Sequence, residues 1–250
     1  MKSFLRHLFR DKPTAIMLLI SSLIIGISAL APALFVIIVL NKYLASGVTA
    51  TLLSLGVGAI LMLCFEFAFR QNRNNMIQAL NKRIFAPLVN AYAKKIKQQQ
   101  ITGEQFKKLE IAGATIKSAT NSSITAWILD WPFVLSFLIV LLYINWTAAI
   151  ITAIFMIIMM LLTTQRVNLS LQQDSTANLE IFLTGLLTIV IIAVGGTQII
   201  TGTLDVGLLI GSNILAARAL QGANKYAKAK EAIKQRDRAT AQIISFVNKK

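Results

Sequence analysis

Residues 1–40 read MKSFLRHLFRDKPTAIMLLISSLIIGISALAPALFVIIVL: a basic lead with Lys2, Arg6, Arg10 and Lys12, then a charge-free apolar stretch from Thr14 to Leu40. About 20 apolar residues in a helix cross the hydrocarbon core of a bilayer, so this stretch is long enough to span. Five more apolar segments follow, at Val48–Phe69, Ile124–Tyr143, Thr147–Leu162, Ile181–Ile200 and Val206–Leu220. The last is short and carries Asn213 and Arg218. Of the 25 Lys and Arg residues, 23 fall in the first, third, fifth and last polar gaps, Arg218 sits at the matching end of the last segment, and only Lys42 falls in the other gaps. Cytoplasmic loops collect Lys and Arg. Both termini and the long middle loop are therefore expected in the cytoplasm, with three short external turns.

A secretory signal peptide is the competing reading of this stretch, since Ala29-Leu30-Ala31 has the A-x-A form. The apolar run is about twice the 7–15 residues of a signal core. Pro32 would also follow the cut directly. A retained first span is expected, opened by Pro13 and kinked at Pro32, whose ring removes a backbone donor and crowds the preceding turn.

Composition agrees with a membrane chain. Hydrophobic residues make up 56% and charged residues 14%, against about 45–50% and about 25% in soluble domains. The net charge of +15 follows from the topology and suits an anionic inner leaflet, so no nucleic-acid partner is expected. Cys64 is the only cysteine and His7 the only histidine, which excludes an internal disulfide and a cysteine metal cluster. No HExxH, Ser–His–Asp set or glycine-rich phosphate loop occurs. No catalytic, cofactor or metal residue is assigned, and the chain is read as a non-enzyme.

The second span is expected to continue past the membrane surface. Glu66 and Arg70 stand at i,i+4 in the favourable order. Apolar residues then recur at helical spacing from Met76 to Ile96, with Pro87 as a possible bend. A break at Gln98–Gly103 precedes a second helical run from Glu104 to Ser118. The fold class read here is all-α integral membrane, with six transmembrane helices, both termini cytoplasmic, and spans two and three extended into the cytoplasm. Residues 1–12 form an amphipathic lead and 13–222 the six-span domain, with its helical extension at about 70–120. Residues 223–250 form a basic tail helix, either a membrane-surface helix or the cytoplasmic end of span six. Gly56, Gly58 and Ala59 on span two, and the pair Gly207 and Gly211 on span six, are expected at close helix contacts.

Asp130 lies inside span three and Glu66 inside span two, each near a span end. Such acids point to function by default. Asp130 stands beside Pro132, which frees backbone groups that need partners. A structural role is expected, and the charge-poor spans leave little material for an ion relay.

Several stretches resemble the transmembrane domain of ATP-binding-cassette exporters, specifically the type I secretion group that exports haemolysin-like and RTX proteins. One is Leu30-Ala31-Pro32-Ala33-Leu34-Phe35-Val36 with Ser46–Leu52; a second is Leu129-Asp130-Trp131-Pro132-Phe133-Val134. The third is Gly202–Ile210, with Gly202 and Gly207, continuing through Asn213–Leu220, with Arg218. The resemblance implies a half-transporter in a bacterial inner membrane that dimerises with itself or a relative. It also implies that Gln98, Gln99, Gln100, Ile101, Thr102, Gly103, Glu104, Gln105 and Phe106 form a coupling helix resting on an ATPase. A periplasmic adaptor is a further possible partner. With no G-x-x-x-x-G-K-[ST] loop, and with the sequence ending soon after span six, ATP and Mg²⁺ are expected on a separate nucleotide-binding subunit. The gap Thr163–Glu180 departs from the family, because nine residues out and nine back reach about 13 Å, too short for a second coupling helix. Two alternatives stand beside an exporter subunit: a degenerate, non-transporting paralogue serving as a structural or regulatory membrane partner, and an unrelated six-span channel or carrier.

Overall fold

A computed structural model describes residues 12–43, 49–98, 103–119, 121–168 and 173–248. Residues 1–11, 44–48, 99–102, 120, 169–172 and 249–250 lie outside the described residues. Every described element is helical: α1 Lys12–Ser28, α2 Ala31–Ile38, a π-helical turn Val39–Tyr43, α3 Thr49–Gln98, α4 Gly103–Ala119, α5 Ser122–Ile144, α6 Trp146–Asn168, α7 Gln173–Ile200 and α8 Val206–Asn248. Six stretches are long and apolar enough to cross a membrane. They coincide with the six apolar segments of the sequence.

Proline punctuates the first span as its chemistry requires. Pro32 stands at the start of α2 and has no N–H to return to Ser28, so α1 ends there. Ala29 and Leu30 tighten the turn by donating to the Ile25 and Ile27 carbonyls at 2.9 and 3.0 Å. Pro132, inside α5, is accommodated without ending the helix.

Two turns on one side of the bundle are closed by side chains. Between α5 and α6, Asn145 Oδ1 accepts from the Thr147 and Ala148 amides, both at 3.1 Å, and caps α6. Its amide donates to Gln198 Oε1 at 3.0 Å, and Gln198 donates back to Thr147 Oγ1 at 3.0 Å. The cap thus also ties the α5–α6 turn to the end of α7. Asn145→Ala is expected to lower stability by about 1–2 kcal/mol, the usual cost of losing a buried cap, seen as a lower melting temperature in detergent. At the end of α7, Gly202 has φ +71°, and the Gly202 and Thr203 amides donate to the Ile199 and Gln198 carbonyls, both at 2.9 Å. This is a Schellman stop, whose left-handed residue is most readily glycine. Gly202 therefore ends a helix, and the family-like turn has a local cause.

Helix α8 is the axis of the fold. It packs against α2, α3, α4, α5, α6 and α7. The main apolar core gathers around it, with Leu141, Met159, Leu187, Leu215, Ala219 and Leu220 among its buried residues. Glycines let the neighbours in. A Cβ on Gly207 would meet the Asn41 side chain and, at 3.1 Å, the Ile37 carbonyl oxygen; one on Gly222 would collide with Val134. A Cβ on Gly26 of α1 would lie 2.9 Å from Cβ of Phe133.

Beyond the apolar segments two helices continue, with the separate helix α4 beside one of them. α3 has 50 residues and α8 has 43, lengths of about 75 and 65 Å against a hydrocarbon core of about 30 Å. α4 packs along the far half of α8 through Ala112, Ile116, Ala239 and Ile243, with Phe246 beside them. The sixth span and the basic tail are one uninterrupted helix.

The connection at Thr163–Glu180 is shorter than its composition suggests. α6 runs to Asn168 and α7 begins at Gln173, so most of these polar residues are helical. Their inner ends are fastened to α8. Thr163 donates to Asn224 at 3.0 Å, Asn224 donates to Glu180, and Lys228 reaches Glu180 at 3.3 Å.

The apolar half of α3 stands apart. None of its spanning window is buried. Leu53, Val57, Ile60, Leu61, Phe65 and Phe67 are all exposed, and a Cβ on Gly56 or Gly58 would meet nothing within 4 Å. The close contact expected at these glycines is not made among the described residues.

Candidate functional site: a charged cavity between four helices

A cavity of about 770 Å³ lies where α1, α3, α5 and α8 meet. α1 contributes Ile25, Gly26 and Ala29, and α3 contributes Glu66 and Arg70. Trp127, Asp130, Phe133, Val134 and Phe137 come from α5. From α8 come Asn213, Ile214, Ala217, Arg218, Gln221, Gly222 and Lys225, a stripe at helical spacing. Five of the lining residues are ionisable groups on the apolar spans or at their ends.

Asp130 is held from behind. Arg73 of α3, whose side chain is 1% exposed, grips it with both guanidinium ends: Nη1 on Oδ1, and Nη2 on Oδ2 at 3.1 Å. Nη1 also donates to Ser22 Oγ of α1 at 2.8 Å. A bidentate guanidinium is the geometry best suited to a carboxylate. One ionic knot thereby ties α1, α3 and α5 at a single level. Beneath it Leu18, Ile77, Ala126 and Leu129 form a small apolar cluster. The partner of Asp130 is Arg73, where the sequence pointed to the backbone opened by Pro132. Next to the knot, Trp131 stacks on Tyr226 of α8, with ring centroids 4.3 Å apart.

Glu66 is occupied too. Arg70 Nη2 donates to its Oε1 at 2.6 Å, the i,i+4 pair expected from the sequence. Arg218 and Lys225 are different. Among the described residues neither forms an ion pair, and both line the cavity from one face of α8. Asn213 Oδ1, also on the lining, is buried and has no hydrogen-bond partner.

The family-like residues fall into two groups. Asp130, Phe133 and Arg218 come together in the cavity wall, with Pro132 in the same turn of α5. Pro32, Gly202 and Gly207 lie elsewhere and serve helix breaks and close packing. Of the expected coupling segment, Gln98 ends α3 and Gly103–Phe106 begin α4, while Gln99, Gln100, Ile101 and Thr102 lie outside the described residues. Arg70, Arg73 and Lys225 were not singled out as site residues from sequence. Their one signal was position, since each is a basic residue at or near the end of an apolar segment. No group of three or more metal-ligating side chains occurs among the described residues.

Comparison of the chain with known protein families and with curated proteins found no match.

Proposed function

We propose that this chain is the membrane-spanning subunit of an ABC-type exporter related to type I secretion systems, working with a separately encoded ATPase. The observation that carries it is the stalk: α3 and α8 are far longer than a bilayer is thick, and α4 packs along the far half of α8. Such a stalk suits a protein that receives mechanical work at one end and opens or closes a membrane path at the other. By the positive-inside rule the basic residues favour a cytoplasmic stalk and cytoplasmic termini. The connection from α3 to α4, at Gln98–Phe106, then meets the ATPase. The unpartnered half of α3 favours a second copy or a relative beside it, and the cavity is the natural start of the transport path. A bacterial inner membrane and a periplasmic adaptor belong to the same proposal.

Purification tests this. The tagged chain, extracted from its native membrane in mild detergent, is expected to bring a stoichiometric nucleotide-binding subunit. Deleting residues 99–105 is expected to release that subunit and leave the chain in the membrane. A stable assembly without any nucleotide-binding partner overturns the proposal.

A second reading, the non-transporting paralogue, is favoured by the tight α6–α7 connection, which leaves one arm to meet an ATPase where the family has two. Deleting the gene discriminates. Loss of export of a specific substrate, with the ATPase intact, counts against the non-transporting role.

A further inference from the structure

The charges around the cavity do not balance. Arg70, Arg218 and Lys225 line the cavity with Glu66 and Asp130, Arg73 grips Asp130 from behind, and Glu180, the next carboxylate near Lys225, is already bonded to Asn224 and Lys228. Both lining carboxylates are engaged, Asp130 by Arg73 and Glu66 by Arg70. Arg218 and Lys225 remain, seven residues apart on one face of α8 with Gln221 between them, a separation of about 10 Å along the axis. Cations within or at the edge of a membrane span require a counter-charge or water.

The surroundings say what kind of anion fits. One wall of the cavity is apolar, formed by Ile25, Phe133, Val134 and Phe137. The face of α3 that carries Arg70 and Glu66 continues at three- and four-residue spacing to Leu63, Ile60 and Gly56. Leu63 and Ile60 are exposed, and Gly56 leaves the surface open. A charged recess thus runs into an uncovered apolar track. A soluble ion uses only the first of these, whereas a phosphate carrying an acyl chain uses both.

We infer that the cavity binds an acidic phospholipid, its phosphate between Arg218 and Lys225 and its acyl chain along Leu63 and Ile60 of α3. This site goes beyond the export role, and it occupies the Ile60 and Leu63 face of α3, leaving the adjoining face with Val57, Leu61 and Phe65 for a second copy. The chemistry recognised is a phosphate anion, whether from a lipid headgroup or free in solution, and the two sources are separable.

Trp127 lines the cavity and reports on its occupant. The full chain is reconstituted in vesicles containing brominated phosphatidylglycerol or brominated phosphatidylcholine at equal mole fraction. Bromine on an acyl chain quenches nearby tryptophan. The expected result is stronger quenching by the acidic lipid, with the excess lost in Trp127→Phe. Lys225→Gln is expected to halve the excess or more, and Arg218→Gln with Lys225→Gln to abolish it. Arg218→Lys with Lys225→Arg keeps the charges and keeps the excess. Should the double glutamine variant not fold, the exposed Lys225→Gln alone decides. Lys42→Gln, away from the cavity, leaves the signal unchanged. Equal quenching by both lipids overturns the proposal. So does loss of the excess on adding millimolar inorganic phosphate at constant ionic strength, which assigns the site to a soluble anion. Displacement by an acidic peptide at matched ionic strength, with a neutral peptide inert, also overturns it and assigns the site to polypeptide.

Discussion

Asp130→Asn is expected to cost about 3–5 kcal/mol, the range for breaking a buried ion pair from one side. The size follows from the asymmetry of the pair. Arg73 is 1% exposed and Asp130 22%, so removing the carboxylate strands the more deeply buried charge. Ser22 can keep one hydrogen bond to the guanidinium but no neutralising charge. Because the knot joins α1, α3 and α5, its loss should loosen three spans together. The measurement is thermal or denaturant unfolding of the purified protein in detergent. Arg73→Met combined with Asp130→Leu provides the control, since replacing both ions by apolar groups of similar size is often close to neutral. A double variant as unstable as the single would show that the knot does more than neutralise charge.

Gly207→Leu should be nearly as severe. The first carbon added there meets Asn41 and the backbone oxygen of Ile37, and a backbone atom cannot rotate away. Overpacking of a tight contact costs about 1–3 kcal/mol and here also pushes α2 from α8. Gly58→Leu is the matched control. Gly58 sits on a span too, yet a Cβ there finds nothing within 4 Å. In dilute detergent it should leave the melting temperature unchanged. Equal effects at the two glycines would mean that α8 and α2 are not packed as described.

The spans were legible because each depends on a local property. Ile124–Tyr143 was an apolar segment in the sequence, and α5 covers Ser122–Ile144. Pro32 marked its own break. α8 was legible only in halves. Hydropathy falls after Leu220, which ends the apolar segment, while Ala, Lys, Glu and Gln keep helix propensity high and the helix runs on to Asn248. The polar stretch at 163–180 carried the opposite ambiguity: its composition suits a loop, yet Thr163, Glu180 and Asn224 satisfy one another and allow helices there. The partner of Asp130 was not legible at all. Arg73 is 57 residues away, with no spacing rule connecting them. The cavity needs four helices brought together, and its two cations without ion-pair partners look in sequence like ordinary membrane-edge residues.

Because α8 has no break between Val206 and Asn248, any rigid swing of it would be geared by where it is held. Gly207 and Gly211 press it against α2 near one end, and Ile243 lies in the stalk near the other. Ile243 is about 48 Å along the axis from Gly211, and Arg218 about 10 Å. A swing of about 10° around Gly211 would carry Ile243 about 8 Å but Arg218 less than about 2 Å. The gearing is nearly fivefold downward from stalk to cavity. A broad, low-force displacement at the stalk would arrive beside the two cations as a short, forceful one.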